Sequence, residues 1–268
     1  MKKKFSALLV ITVICLSLFC NNRLCDATIL IKASTDAVYY KVDTSVPGQS
    51  LLWSGIASGP FSATGLAVAS EDGINGILYA SGGGGAWNWI TAIDLATGEE
   101  LMIPRLQITG YSELYGLECI GSNGNYNLFS IARNTTTGKA TLIEYKLAPN
   151  GLIDSINPIK SATSIRNSQG NEISGTFAGL AYNSATNRFY TRDSGNWFST
   201  FKLDGTDCKS LFYGFPGQGF AYQDGYIWST GGNAGPLIRY DTLEPPISVT
   251  TYTGNITGGW CLTGITTP

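Results

Sequence analysis

Histidine is absent from the 268-residue chain, and charged residues make up only 13% of it. Without histidine, neither a Ser-His-Asp nor a Cys-His nucleophile can form, and the usual ligand sets for zinc and copper are lacking. The formal net charge is −2 and no basic stretch follows the first residues, so nucleic acid and anionic lipid are not expected partners. The remaining chemistry belongs to carboxylates, tyrosine and lysine. No cofactor is expected except a calcium ion bound through oxygen atoms.

Long apolar runs are also absent, with one exception at the N-terminus. Three lysines at positions 2–4 precede the apolar run Phe5–Phe19, and Cys25-Asp26-Ala27 supplies small residues before a cleavage point. This pattern predicts a secretory signal peptide over residues 1–27. The run is 15 residues long, shorter than the ~20 that a membrane helix needs. We therefore expect the mature chain, residues 28–268, to be secreted into the extracellular space or periplasm without membrane insertion.

Cysteines are few and widely spaced. Cys119, Cys208 and Cys261 remain after the predicted cleavage, and no CxxC pair indicates a metal site. Cys119 and Cys261 lie in apolar stretches, which favours small buried thiols, although one disulfide is possible in an oxidising compartment. A lipid anchor at Cys20 is the alternative to secretion, but the bulky Phe19 before it disfavours this reading.

Short apolar segments bounded by Gly, Asn, Asp and Pro recur after residue 28, and no sustained helical period is found. The chain is therefore predicted to be all-β. Four strand types repeat in a fixed order. The first type opens with glycine and an apolar residue, at Gly65, Gly116, Gly179, Gly219 and Gly259.

The other strand types recur after each first strand. The second joins large apolar residues to a small one, as in Leu78-Tyr79-Ala80. The third ends in an acidic turn, with Asp43, Asp94, Asp204 and Asp241 at four of its five copies. The fourth is assigned to Leu51–Trp53, Leu101–Ile103, Leu152–Ile153, Leu211–Tyr213 and Val249–Tyr252.

A repeat of ~40 to 50 residues with four strands is typical of a β-propeller blade. The N-terminus supplies strands two to four of one blade, and Gly259–Ile265 supplies the missing first strand. The sequence therefore predicts one domain over residues 28–268, a five-bladed β-propeller closed by the C-terminal strand joining the N-terminal blade.

The turn Asp94-Leu95-Ala96-Thr97-Gly98-Glu99 resembles the blade turns of NHL, YVTN and quinoprotein-type propellers. The resemblance covers nearly the whole mature chain and implies the blade architecture. It implies no activity, because propellers serve as enzymes, lectins and docking platforms.

Acidic residues offer one weak catalytic candidate. Glu118 is the only acid in the five first strands, with Glu113 just before it. It could serve a carboxylate-based or calcium-assisted polysaccharide hydrolase or lyase, although a satisfied or channel-solvated carboxylate is favoured. The recurring aspartates are interpreted as turn residues that accept backbone hydrogen bonds.

Aromatic and amide residues cluster in the loops between second and third strands. These loops and those between blades are expected on one face of the propeller, where recognition usually occurs. Trp and Tyr beside Asn, Asp and Gly are typical of carbohydrate or peptide binding. The leading hypothesis is therefore a non-catalytic recognition module for an extracellular glycan or protein, with Trp87, Arg192, Asp193 and Trp197 as ligand contacts.

Overall fold

The structure is a computed structural model that describes residues 29–33, 38–43, 48–54, 64–70, 75–82, 88–213, 219–223, 225–230, 237–240, 248–252 and 261–265. Before residue 64, and in the last strand, it describes the backbone only, apart from Tyr39. The predicted signal peptide lies outside the described residues. Among the residues described, there is no helix with the length and apolarity that crossing a bilayer requires.

In the part of the chain that the structure describes, every sheet is antiparallel and has four strands. Sheet 1 contains β1 (Ile29–Ala33), β2 (Val38–Asp43), β3 (Gly48–Ser54) and β20 (Cys261–Ile265). Sheet 2 contains β4 (Gly65–Ala69), β5 (Ile77–Gly82), β6 (Trp89–Asp94) and β7 (Leu106–Gln107). Sheet 3 contains β8 (Tyr111–Ser122), β9 (Asn125–Asn134), β10 (Ala140–Tyr145) and β11 (Ile159–Ser164). Sheet 4 contains β12 (Phe177–Asn183), β13 (Arg188–Asp193), β14 (Trp197–Lys202) and β15 (Lys209–Tyr213). Sheet 5 contains β16 (Gly219–Gln223), β17 (Tyr226–Thr230), β18 (Leu237–Tyr240) and β19 (Val249–Tyr252).

The predicted all-β propeller is confirmed. The first strands β4, β8, β12 and β16 contact one another in turn, as the inner strands of neighbouring blades do. The sheets described with their side chains form four blades, one fewer than the five predicted. The sheet that contains both chain ends is described by its backbone alone, in the strand order β20-β1-β2-β3.

The core lies between the faces of adjacent sheets, because neighbouring residues on a strand point to opposite sides. On β13, Phe189 packs towards sheet 3, where its ring lies 5.5 Å from that of Phe129. The next residue, Tyr190, stacks on Phe198 at 5.6 Å, on the side that faces sheet 5. Phe198 in turn lies 6.0 Å from Phe220 of sheet 5. Sheet 4 is therefore apolar on both faces.

Gly65 and Gly116 of the first strands β4 and β8 are required by close packing at the propeller axis. A Cβ added at Gly116 would lie 2.6 Å from the carbonyl carbon of Gly179, and one added at Gly65 would lie 2.9 Å from the backbone nitrogen of Leu117. The opening between these strands leaves no room for a water molecule. Its lining residues are Thr64, Gly65, Leu66, Gly116, Leu117, Gly179, Leu180, Gly219 and Phe220.

Two predicted fourth strands are wrong. The segment Leu101–Ile103 belongs to the connection after β6, and the fourth strand of sheet 2 is β7. Leu152–Ile153 likewise precedes the fourth strand of sheet 3, which is β11. Met102 and Ile153 are buried against the core from these connections. Their apolar character therefore reflects loop residues that cover the core.

Cys119 and Cys208 are free thiols. Cys208 is buried, whereas Cys119, which was expected to be a buried thiol, is half-buried and packs against the core. Burial raises the pKa of Cys208 to about 12, which keeps this thiol protonated at neutral pH. The side chain of Cys261 lies outside the part of the chain that is described.

Candidate functional site

One end of the propeller carries the starts of the first strands together with the turns between second and third strands. Tyr111 at the start of β8 pairs with Asn134 at the end of β9. Phe177 at the start of β12 pairs with Asp193 at the end of β13. The prediction that both sets of connections share one face is confirmed for these two blades. We call this end the loop face.

The turn after β13 is braced by Asp193. Its Oδ1 accepts hydrogen bonds from the backbone N–H groups of Gly195 at 2.9 Å and Trp197 at 3.0 Å. Asn196 completes the turn with a φ of 63°, in the left-handed region that asparagine tolerates. One carboxylate oxygen of the predicted ligand contact Asp193 is therefore committed to holding the turn.

Trp197, which begins β14, lies beside Tyr213 at the end of β15. The two residues are paired in register, and their rings meet edge to face with centroids 5.4 Å apart. Trp197 is 42% exposed and Tyr213 is 66% exposed, so much of both rings faces solvent. We call these two residues the aromatic pair. Sequence reasoning did not single out Tyr213, although its position opposite Trp197 follows from the strand pairing.

Arg192 lies on the other side of the same blade. It pairs with Phe198, whose ring faces sheet 5, whereas Trp197 is one residue before Phe198 and points the opposite way. The Nε of Arg192 is buried and has no hydrogen-bond partner among the described residues. Desolvation lowers the pKa of its guanidinium. The predicted contacts therefore fall on two sides of the blade, with Asp193 and Trp197 on one and Arg192 on the other; Trp87 lies outside the described residues.

Glu118 occupies the first strand of sheet 3, at a position where three other first strands have Ala67, Ala181 and Ala221. Its Oε2 accepts a hydrogen bond from the backbone N–H of Tyr182 in sheet 4, at 3.1 Å. Burial raises the pKa of Glu118 to about 8, against the opposing effect of hydrogen bonds from the backbone of Tyr182 and Cys119. This carboxyl group is therefore largely protonated at neutral pH. No other carboxylate among the described residues contributes to the shift.

The recurring aspartates act as turn residues where their side chains are described. Asp94 Oδ1 accepts from the backbone N–H of Thr97 at 2.7 Å and from its hydroxyl at 2.9 Å. Asp204 Oδ1 accepts from the same two groups of Thr206, at 3.0 and 2.7 Å. These bonds hold the pKa of both carboxyl groups below the usual range. The turn interpretation is confirmed for both residues.

Glu113 has a backbone conformation that sequence reasoning did not anticipate. It lies in an irregular part of β8, between Ser112 and Gly116, where the register shifts. Its φ is 60°, in the left-handed region that a non-glycine residue seldom adopts. Oε2 is buried without a hydrogen-bond partner among the residues described, and Oε1 lies 3.9 Å from a guanidinium nitrogen of Arg133. No sequence signal marks such a conformation at glutamate.

Metal-binding clusters are not found in the described part of the chain, where no three Cys, Asp or Glu side chains gather as a cation would require.

Comparison with known proteins gives a fold but no family. No protein-family model and no curated protein matches the chain. A chain of a nidogen/laminin complex is 13% identical, with coverage of 88% of this chain and 98% of its own and a TM-score of 0.55. A Bacteroides fragilis protein provisionally described as a 6-phosphogluconolactonase is 10% identical, with coverage of 91% and 99% and a TM-score of 0.47. The β-propeller domain of Cps50 (Swd1) from Myceliophteria thermophila is 12% identical, with coverage of 88% and 86% and a TM-score of 0.42. The likeness to solved structures shows a β-propeller, and no specific family is found.

Proposed function

We propose that the chain is a secreted, non-catalytic recognition module that binds an extracellular carbohydrate or protein through its loop face. The observation that carries the proposal is the aromatic pair Trp197 and Tyr213. Two large rings are presented to solvent at the edge of a rigid sheet, and the turn before them is fixed by Asp193. Exposed aromatic rings of this kind supply flat apolar area for a ligand at little cost in conformational entropy.

The alternative is a hydrolase or lyase that uses Glu118 as its acid, with or without calcium. The raised pKa of Glu118 would suit a general acid. However, one oxygen is already bonded to the backbone of Tyr182, and the nearby axial opening has no room for water. Carboxylate hydrolysis also needs a second acid about 5 to 10 Å away. The accessible aromatic pair therefore gives the recognition module stronger support.

We also propose that the propeller closes as a ring of five blades. Support comes from the register between β1 and β20, in which Ile29 lies opposite Ile265 and Ala33 lies opposite Cys261. The backbone of β20 also contacts both β16 and β4. A strand shared by the two chain ends would remove two exposed sheet edges and lock the ring.

The proposed secretion has a direct measurement. Expression of the full chain in a bacterial host with an intact export pathway should yield a protein whose N-terminus, determined by mass spectrometry, is Thr28. A mature protein that retains residues 1–27 would contradict the signal-peptide proposal.

Binding is tested with residues 28–268 on an array of polysaccharides and on a panel of purified extracellular proteins. Trp197→Ala and Tyr213→Ala should each weaken binding about tenfold or more, because stacked rings at the centre of a site contribute about 1 to 3 kcal/mol. Ile156→Ala is the matched control, since Ile156 is an exposed apolar residue, 85% accessible, in the connection before β11. Binding that is unchanged in both aromatic variants would remove the aromatic pair from the site. Absence of any ligand on either panel would contradict the recognition module.

A further inference from the structure

The backbone of Glu113 is held in its unusual conformation by side chains around it. The Oδ1 of Asn88 accepts the backbone N–H of Glu113 at 3.1 Å, and the Nδ2 of Asn88 donates to the carbonyl of Tyr111 at 2.8 Å. Non-glycine residues with positive φ persist only where the surroundings determine them, and they concentrate at functional sites. Asn88 supplies this support from the position just before β6, the third strand of the neighbouring sheet 2.

The residue after Glu113 is fixed just as firmly. The carbonyl of Leu114 accepts hydrogen bonds from the hydroxyls of Thr64 at 2.8 Å and Ser81 at 3.1 Å, both in sheet 2. Leu114 itself is fully buried. The irregular segment of β8 is therefore clamped between two blades, which leaves the Glu113 side chain on a rigid base.

The Glu113 carboxylate has unused hydrogen-bonding capacity. Oε2 has no partner among the described residues despite being buried, and a buried acceptor without a partner lowers stability. Oε1 is 3.9 Å from Arg133, too far for a hydrogen bond. The side chain of Arg133 is 47% exposed, so its guanidinium remains accessible to a ligand. A carboxylate acceptor and a guanidinium donor thus lie side by side on the loop face.

The aromatic pair lies on the facing side of the next blade. Arg133 follows Ile131 by two residues, and Ile131 packs in the core between sheets 3 and 4. Trp197 precedes Phe201 by four residues, and Phe201 packs in the same core. By strand alternation, Arg133 points towards sheet 4 and Trp197 points towards sheet 3. The connection from Ser174 to Thr176 joins these sheets here, held by Lys139 and Ser194.

We propose that Glu113 and Arg133 form a polar subsite of the loop face that binds vicinal hydroxyl groups of a saccharide. Because Oε2 is buried while the Glu113 side chain as a whole is 27% exposed, Oε1 accepts the hydrogen bonds from the hydroxyls, and the guanidinium donates to their oxygens. A sugar ring offers both functions on adjacent carbon atoms together with an apolar face for an aromatic residue. The proposal rests on the recognition function above and specifies its ligand as carbohydrate, not protein.

Two variants of Glu113 separate a binding role from a structural one. Glu113→Gln removes the charge at nearly constant shape, and Glu113→Gly also relieves the positive φ. Glu113→Gln keeps the shape of the side chain and should melt at about the wild-type temperature, whereas Glu113→Gly should melt at that temperature or about 2–4 °C above it, because glycine relieves the positive φ and removes the buried acceptor. Both should weaken binding to the saccharide found on the array by about tenfold or more. Glu172→Gln, which alters an exposed ion pair with Arg166, is the control and should change neither quantity.

The possible results distinguish an error in the polar subsite from an error in the proposed recognition function or in its ligand class. If Trp197→Ala abolishes saccharide binding and both Glu113 variants bind normally, the recognition module stands and the polar subsite is wrong. Lower melting temperatures in both Glu113 variants would show that the carboxylate is structural and would overturn the subsite. If the wild-type chain binds a purified protein and no saccharide, the ligand class is wrong.

Discussion

Glu118 of sheet 3 reaches across the blade interface and accepts the backbone N–H of Tyr182 in sheet 4 at 3.1 Å. In a propeller, the first strand of each blade has one edge without a neighbouring strand, so its backbone groups need other partners. The alanines at the equivalent positions of three other blades cannot supply one. Glu118 thus joins two blades by a bond that the repeat itself does not provide.

The protonation of Glu118 should make stability depend on pH. Burial raises its pKa from 4.5 to about 8, so the folded chain holds a proton over a range in which the unfolded chain has released it. The stability that the protonated Glu118 contributes to the folded chain is fully present below about pH 4.5. It is lost as the pH rises from there through about 8, where the folded chain also releases the proton. Glu118→Gln stays neutral and keeps an oxygen for Tyr182. Relative to wild type, its free energy of unfolding should rise by at least about 1.4 kcal/mol between about pH 5 and 9.

Urea unfolding at several pH values measures this difference. Glu172→Gln serves as the control because its side chain is exposed beside Arg166. A stability difference between Glu118→Gln and wild type that does not change with pH would show that the carboxyl group does not titrate in this range.

The glycine repeat should be intolerant of even one added methyl group. In Gly116→Ala the new Cβ would lie 2.6 Å from the carbonyl carbon of Gly179, so two first strands must move apart. We expect a loss of about 3 kcal/mol or more in the free energy of unfolding. Gly124→Ala is the control, because its Cβ meets nothing within 4 Å and only its φ of 76° opposes alanine. That variant should lose about 1 kcal/mol. Equal losses would contradict close packing at the axis.

The inner strands were predictable because their sequence is dictated by geometry. Only glycine fits where Gly65, Gly116 and Gly179 approach one another, and the apolar residues that follow fill the spaces between blades. The outer strands carry no such signal. In β11, Lys160 and its neighbours are mostly exposed and polar, whereas the buried Ile153 lies in the preceding connection. Apolar content therefore pointed to the wrong segment.

The candidate site was predictable only in part. The aromatic residue Trp197 and its face followed from the repeat, since the turn between second and third strands recurs at one end. Arg192 and Trp197 point to opposite sides of the blade. This depends on how β13 and β14 are paired across the turn, because side chains alternate between the two faces along each strand. The conformation of Glu113 depends on contacts from Asn88, 25 residues earlier, which no local pattern records.

Ring closure can be tested with one substitution, because a native cysteine already lies on β20. Ala33 is directly opposite Cys261, and facing residues in antiparallel strands lie within the distance that a disulfide spans. Ala33→Cys should therefore form a disulfide with Cys261 under mild oxidation. By closing most of the chain into a loop, the bond should add about 3 to 5 kcal/mol to the free energy of unfolding.

Lys32→Cys is the matched control, because Lys32 lies opposite Leu262. Mass spectrometry of proteolytic fragments identifies the bond, and thermal unfolding with and without reductant measures its effect. Deletion of residues 258–268 should conversely cost several kcal/mol by exposing two sheet edges. No linkage in Ala33→Cys, together with an unchanged melting temperature on truncation, would rule out the closed ring.

Arg192 should contribute to binding an anionic group and not to folding. Its Nε is buried with no hydrogen-bond partner among the described residues, so Arg192→Met, which keeps most of the side-chain length, should be at least as stable as wild type.

Arg188→Met is the matched control four residues earlier on β13. Arg188 binds Asp207 at 2.8 Å and the hydroxyl of Thr200 at 3.0 Å, so its loss should cost about 2 to 3 kcal/mol. In binding assays with acidic and neutral polysaccharides, Arg192→Met should weaken binding of acidic chains selectively and reduce its dependence on salt, because a partly desolvated guanidinium whose Nε has no hydrogen-bond partner among the described residues favours an incoming carboxylate. Destabilisation of Arg192→Met to the level of Arg188→Met would instead show that Arg192 is bonded within the fold, and equal affinities for acidic chains in wild type and variant would remove it from the site.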